Sequence, residues 1–263
     1  MTTSAAPRLR ERSATEIIDV SIQLFRQHYA TFVMFMVLSA FPSWLVLWLS
    51  GFYSLFGGGR VVGPGLGFNP SAFGLVIVTF PWAIVLQCAI IVGASDAYIT
   101  GTIEPGRAIR IAFSKTFQLI GAYIVLGFLF AVAALPTLFI GSFYLALRYF
   151  AVAPALLIEN QSFANAFHRS RDLSQGFKWR ILGTMALSWV IMVAALFAIE
   201  IVLAFIPQVS LVARALINAV VQTLVQPLLT IVLTVLYYDQ RVRKDGFDLE
   251  VATRNLEAAP AAG

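Results

Sequence analysis

Arg148, Gln87 and Gln226 are the polar side chains that the sequence places where a binding site could form. Each interrupts a long apolar run. Arg148 stands about 11 residues from the end of its run, so an unbroken helix would hold it about 16 Å deep at 1.5 Å per residue. Gln87 and Gln226 fall at comparable depth in two other runs. A cation near a bilayer midplane costs at least about 2.5–3.5 kcal/mol unless it faces the bundle interior or water. Two readings follow: a polar layer that binds an anionic head group or solute, or an interhelical hydrogen-bond clamp.

The carboxylates sit elsewhere, at the ends of the apolar runs. Glu200 and Arg214 flank the turn between the last two runs and read as a neutralising pair, with a proton-coupling carboxylate as the alternative. Asp96, Glu159 and Asp239 close three runs beside arginines. Asp239 and Arg241 are expected to pair with Arg169, Arg171 or Glu159, making the C-terminal stretch a structural clasp. Hydrolytic chemistry lacks its parts. The only histidines are His28 and His168, the one cysteine is Cys88, and no His-Glu-x-x-His, Cys-x-x-Cys or Gly-x-Ser-Gly motif occurs. Residues 57–72 hold six glycines and two prolines but no Gly-Lys-Ser/Thr, which reads as a flexible loop rather than a phosphate cradle. No catalytic residue, metal site or cofactor is assigned.

The elements that must carry these residues are apolar helices. The 263 residues are 59% hydrophobic and only 12% charged, against about 25% charged in soluble domains, so lipid must solvate most of the apolar surface. Charged residues are absent from 27–59, 61–95, 116–147, 181–199 and 215–238. The third gap has 32 residues, too long for one crossing at about 20 residues, and Leu135-Pro136-Thr137 divides it. The expected fold is all-α: a polytopic membrane protein with six transmembrane helices at about 30–54, 73–98, 117–134, 138–158, 181–205 and 212–238. Pro42, Pro81, Pro154 and Pro227 fall inside them and predict kinks.

Three amphipathic stretches precede the spans in pairs. Ser13 to Glu16 has capping-box spacing, Thr102-Ile103-Glu104-Pro105 is a helix start, and Ser162 to Phe177 has an apolar stripe ended by Gly176. The chain therefore reads as three hairpins, each preceded by an amphipathic interfacial helix. Residues 1–12 are expected to be a disordered tail, 13–245 a single membrane domain and 246–263 a second tail. Of the 18 Lys and Arg residues, fifteen fall at the N-terminus, in the second and fourth loops, and after the last span. Six spans put all four places on one side, which the positive-inside rule makes cytoplasmic, with both termini. The net charge of +5 then serves topology and anionic lipid head groups rather than nucleic acid. The partners expected are membrane lipids and a protein partner or second copy.

Leu236-Tyr237-Tyr238-Asp239-Gln240-Arg241-Val242-Arg243-Lys244-Asp245-Gly246-Phe247-Asp248-Leu249-Glu250 resembles the C-terminal signature of the bacterial glycerophosphoryl diester phosphodiesterase membrane-domain family. Pro154 to Glu159, followed by Ala166, Arg169-Ser170 and Leu173 to Gly176, is similar to that family's central motif. The resemblance implies a multi-span helical protein of the bacterial inner membrane. It covers the membrane part only, and the phosphodiesterase barrel does not accompany it. Two functions remain open at this point. One is a non-enzymatic protein that organises partner proteins or lipids through its cytoplasmic face; the other is a transporter of a small solute or lipid with a polar site around Arg148.

Overall fold

The computed structural model describes residues 10–55, 70–134, 137, 140–206, 211–247 and 249, and among them there is no strand. The described residues form ten helices: α1 (Ala14–Gln27), α2 (Tyr29–Leu55), α3 (Pro70–Thr100), α4 (Pro105–Ser114), α5 (Thr116–Ala134), α6 (Ile140–Arg148), α7 (Val152–Leu157), α8 (Phe163–Ser174), α9 (Lys178–Ala204) and α10 (Leu211–Asp245). Five stretches among the described residues are long and apolar enough to cross a membrane: Thr79–Thr100, Thr116–Ala134, Ile140–Leu157, Lys178–Leu203 and Val220–Asp245. The chain is thus a multi-pass helical membrane protein. The outward faces agree, since Ile124 and Phe128 on α5 and Val190 and Phe197 on α9 are all more than half exposed, which suits lipid and not water.

Short helices start where local chemistry starts them. Ser13 Oγ accepts the Glu16 N–H at 3.2 Å and the Glu16 carboxylate accepts the Ser13 N–H at 2.8 Å, so both halves of the capping box close. Pro105 opens α4, where its missing N–H costs nothing. Gly176, at φ +85°, turns the chain out of α8 and into α9, a conformation that a Cβ disfavours.

α3 and α10 occupy the middle. α10 touches α1, α2, α3, α8 and α9, while α2 packs on α3, α5 on α6, and α9 on α10. Tyr237 and Tyr238 are fully buried at the centre. The Tyr238 hydroxyl lies 2.6 Å from Ser95 Oγ, and its ring lies 5.3 Å from that of Tyr98, tilted by 32°. A buried Tyr is stable only when its hydroxyl finds such a partner.

Three expectations change. The stretch expected as one helix over 138–158 is two, with α6 ending at Arg148 and α7 resuming at Val152. The prolines at 42, 81 and 227, by contrast, lie inside continuous helices. Of the tail expected over 1–12, residues 10–12 are described: Arg10 and Glu11 are exposed, whereas Arg12 is buried and its N–H donates to Asp239 Oδ1 at 2.8 Å. The membrane domain also continues past residue 245. Phe247 is buried with its ring 5.8 Å from that of Tyr238, and the Arg241 guanidinium sits 3.8 Å above it. The 57–72 loop falls mostly on 56–69, and the turn at 206–208 on 207–210, both outside the described residues.

Candidate functional site

One end of the bundle is a network of charges, built where α1, α3, α8 and α9 begin or end around the close of α10. Two carboxylates organise it, Asp239 buried and Glu159 partly so. Asp239, with 1% of its side chain exposed, faces Arg180 Nη2 and Arg243 Nε at 3.0 Å each and accepts the Arg12 N–H. Arg243 also bonds Glu11 at 2.6 Å and the Arg12 carbonyl at 3.2 Å, which ties the start of the chain to its last helix. Glu159 takes Arg169 Nε at 2.8 Å and the Tyr237 hydroxyl at 2.5 Å. Arg241 Nε lies 3.2 Å from Glu159 Oε1 as an ion pair without hydrogen-bond geometry. Arg169 continues to Asp245.

These contacts set the charge states. Burial pushes the Glu159 carboxyl up, but the bonds from Arg169 and Tyr237 and the charges of Arg169 and Arg241 outweigh it and hold it below the ordinary carboxylate range. Asp96 forms a separate bridge, accepting Arg107 Nη1 on both oxygens at 2.5 Å. That bond raises Arg107 above its usual value. Burial lowers His28, opposed in part by the Gly101 backbone.

The helix break beside this network has a specific filling. Ser170 of α8, fully buried, donates its hydroxyl to the Arg148 carbonyl at 3.1 Å and accepts the Ala151 N–H at 3.0 Å. Pro154 has no N–H to offer the carbonyl four residues before it, so the helix cannot run unbroken through this point at full bonding. Ser170→Ala removes both substitutes from buried backbone groups and is expected to cost about 1–3 kcal/mol. Thermal unfolding in detergent measures it, and a variant as stable as the wild type would contradict the role given to Ser170.

The break also relocates Arg148. Its expected midplane depth presumed a continuous helix to residue 158, whereas its carbonyl is held by Ser170, next in sequence to Arg169 of the charged network. No carboxylate pairs with Arg148 among the described residues, and its Nε is buried without a hydrogen-bond partner. One turn earlier, the Tyr144 hydroxyl accepts Lys178 Nζ of α9 at 2.7 Å, with the ammonium 4.2 Å from the ring centre.

A cavity of about 720 Å³ opens between α3, α5, α6, α7, α9 and α10. Its wall is apolar, with Phe143, Leu147, Leu182, Met185 and Trp189 among the lining residues. Gln87 reaches it, but neither Arg148 nor Gln226 lines it, and Gln226 faces outward. The three residues expected to form one polar layer are not brought together. Glu200 accepts a bond from Asn218, while the side chain of Arg214 lies outside the described residues.

Arg180, Arg243 and Arg12 around Asp239, together with Lys178, Tyr144 and Ser170, are what sequence reasoning missed. Their signal was weak: Lys178 and Arg180 stand just before the charge-free run 181–199 with nothing to name their partners, and a single serine on an amphipathic stripe says nothing of the backbone opposite. His168 is exposed on α8, and no cluster among the described residues could hold a metal ion. The arrangement offers cations and an apolar cavity. Comparison of the chain with protein-family models, curated proteins and solved structures finds no match.

Proposed function

We propose that this is a non-enzymatic protein of the bacterial inner membrane that organises lipid, holding it between its spans while the charged network acts as a rigid cytoplasmic collar. The observation that carries this reading is the apolar cavity of about 720 Å³ between α5–α6 and α9–α10, within the size range of about 300–1,000 Å³ typical of ligand chambers. Within this proposal α2, 27 residues long and free of charge, is the sixth span. The six spans form three hairpins led by α1, α4 and α8, with both termini cytoplasmic. The resemblance of Tyr237 to Glu250 and Pro154 to Gly176 to the glycerophosphoryl diester phosphodiesterase membrane-domain family fits this location. The collar's charges are largely spent on one another, at Glu159 and Asp239, which favours lipid over a protein partner as the thing organised.

Native mass spectrometry of the purified chain tests the reading. Phospholipid is expected to remain bound after mild detergent extraction, and Ala146→Trp, which fills the chamber from α6, is expected to release it. Wild type that is lipid-free and unaffected by added lipid would overturn the proposal. A second reading, lipid or solute transport, is favoured by the cavity's contact with the helix break, since Tyr149 and Phe150 of the break line it. Flux across vesicles containing the protein, set against empty vesicles, separates the two.

A further inference from the structure

We propose that the occupant is an anionic phospholipid, with an acyl chain in the apolar cavity and its phosphate held at the mouth by Arg148 and Lys178. This deepens the lipid-holding reading and rests on it. Leu182, Met185 and Trp189 follow Lys178 at steps of four, seven and eleven residues, so the cavity-facing stripe of α9 is headed by that ammonium. On the opposite wall, Phe143, Ala146 and Leu147 of α6 line the cavity and Arg148 follows directly, at the helix end. The Lys178–Tyr144 bond at 2.7 Å joins the two walls at this level.

Charge selects the head group. Arg169, Arg180, Arg241 and Arg243 each have a carboxylate within 3.2 Å. Arg148 and Lys178 have no carboxylate partner among the described residues. Arg148 also differs from the exposed Arg110 and Arg171, because its Nε is buried and unbonded, a costly state unless an acceptor completes it. A phosphate oxygen is such an acceptor, and an arginine fork suits it. Two cations without a balancing carboxylate favour a head group of net negative charge over one that carries its own ammonium. The cavity wall is apolar, which suits an acyl chain and not a free anion.

The test uses the full-length chain in detergent with phosphatidylglycerol, phosphatidylethanolamine or inorganic phosphate added singly, reading bound lipid by native mass spectrometry and melting temperature. Wild type is expected to prefer phosphatidylglycerol about tenfold, to lose that preference as salt rises from 0.1 to about 0.5 M, and not to respond to inorganic phosphate alone. Arg148→Gln with Lys178→Gln is expected to bind both lipids equally, with Lys178→Arg in the single variant retaining the preference. Equal binding of the two lipids by wild type, or a preference that survives either the double variant or high salt, overturns the anionic assignment and leaves lipid holding intact. A response to inorganic phosphate as large as that to phosphatidylglycerol overturns the acyl-chain part. Absence of any lipid binding, or Ala146→Trp binding lipid as wild type does, overturns the lipid reading itself. The salt titration needs only wild type, so the assignment stays exposed to contradiction even if the double variant does not fold.

Discussion

Asp239→Asn is expected to destabilise the protein by about 2–4 kcal/mol, the cost of removing one partner from a buried ion pair discounted for its partly exposed arginines. The substitution keeps an oxygen for the Arg12 N–H but leaves Arg180 and Arg243 facing a neutral amide. Asp239 has 1% of its side chain exposed, but Arg180 and Arg243 are 24% and 17% exposed and Arg243 keeps Glu11, so water and Glu11 offset part of the loss. Arg180→Gln should cost less, because Asp239 then retains Arg243 and the backbone donor. Thermal or denaturant unfolding of detergent-solubilised protein measures both, and a double-mutant cycle gives the coupling. Equal stability of Asp239→Asn and wild type would mean that Asp239 does not tie the start of the chain, α9 and α10 together.

The second large effect is expected at Glu159. Glu159→Gln strips the charge from a carboxylate that serves Arg169, Arg241 and the Tyr237 hydroxyl, at 9% side-chain exposure. Arg169 is about a quarter exposed and keeps Asp245, so the loss is discounted to about 2–4 kcal/mol. The same residue carries a pH dependence of defined sign. Its carboxyl titrates below the ordinary value of 4.5 when folded, so its contribution is complete above that value and is lost as pH falls through the folded-state value. The gap in melting temperature between wild type and Glu159→Gln should be widest near neutrality and should close on acidification below about 4.5. A gap that stays constant or widens in acid would contradict the ion-pair origin.

Long apolar helices were legible because lipid removes the usual ambiguity. Charge-free runs at 27–59, 61–95, 116–147, 181–199 and 215–238 coincide closely with α2, α3, α5–α6, α9 and α10. The short helices were legible through their first turns, at Ser13, Pro105 and Ser162. What sequence does not carry is the exchange of backbone bonds for a side chain from a distant helix. Pro154 marks a kink, as do Pro42, Pro81 and Pro227, but only Ser170 standing opposite turns this one into a break, and without the break the arithmetic of rise per residue sends Arg148 to the midplane. The same limit applies to Asp239. Its nearest basic neighbours in sequence, Arg241 and Arg243, lie two and four residues on, and α-helical geometry chooses the second, i to i+4. Arg180 and Arg12 reach it only through the packing of α9 and α1 on α10.

Glu159 and Asp239 therefore tie α8, α9, α10 and the residues before α1 together, and Lys178 opens α9 beside them. Both clusters share α10, and Arg180 of the Asp239 cluster stands two residues from Lys178. Loss of either carboxylate should thus weaken lipid binding as well as stability, although neither touches the cavity wall.

A density map of the wild-type protein in nanodiscs containing phosphatidylglycerol tests the central claim most directly. The expected result is an elongated acyl density in the chamber between α5–α6 and α9–α10, with a head-group peak within hydrogen-bond reach of Arg148 and Lys178. A chamber closed by the packing of Phe143 and Leu147 against Leu182 and Trp189, with no density between them, would contradict it.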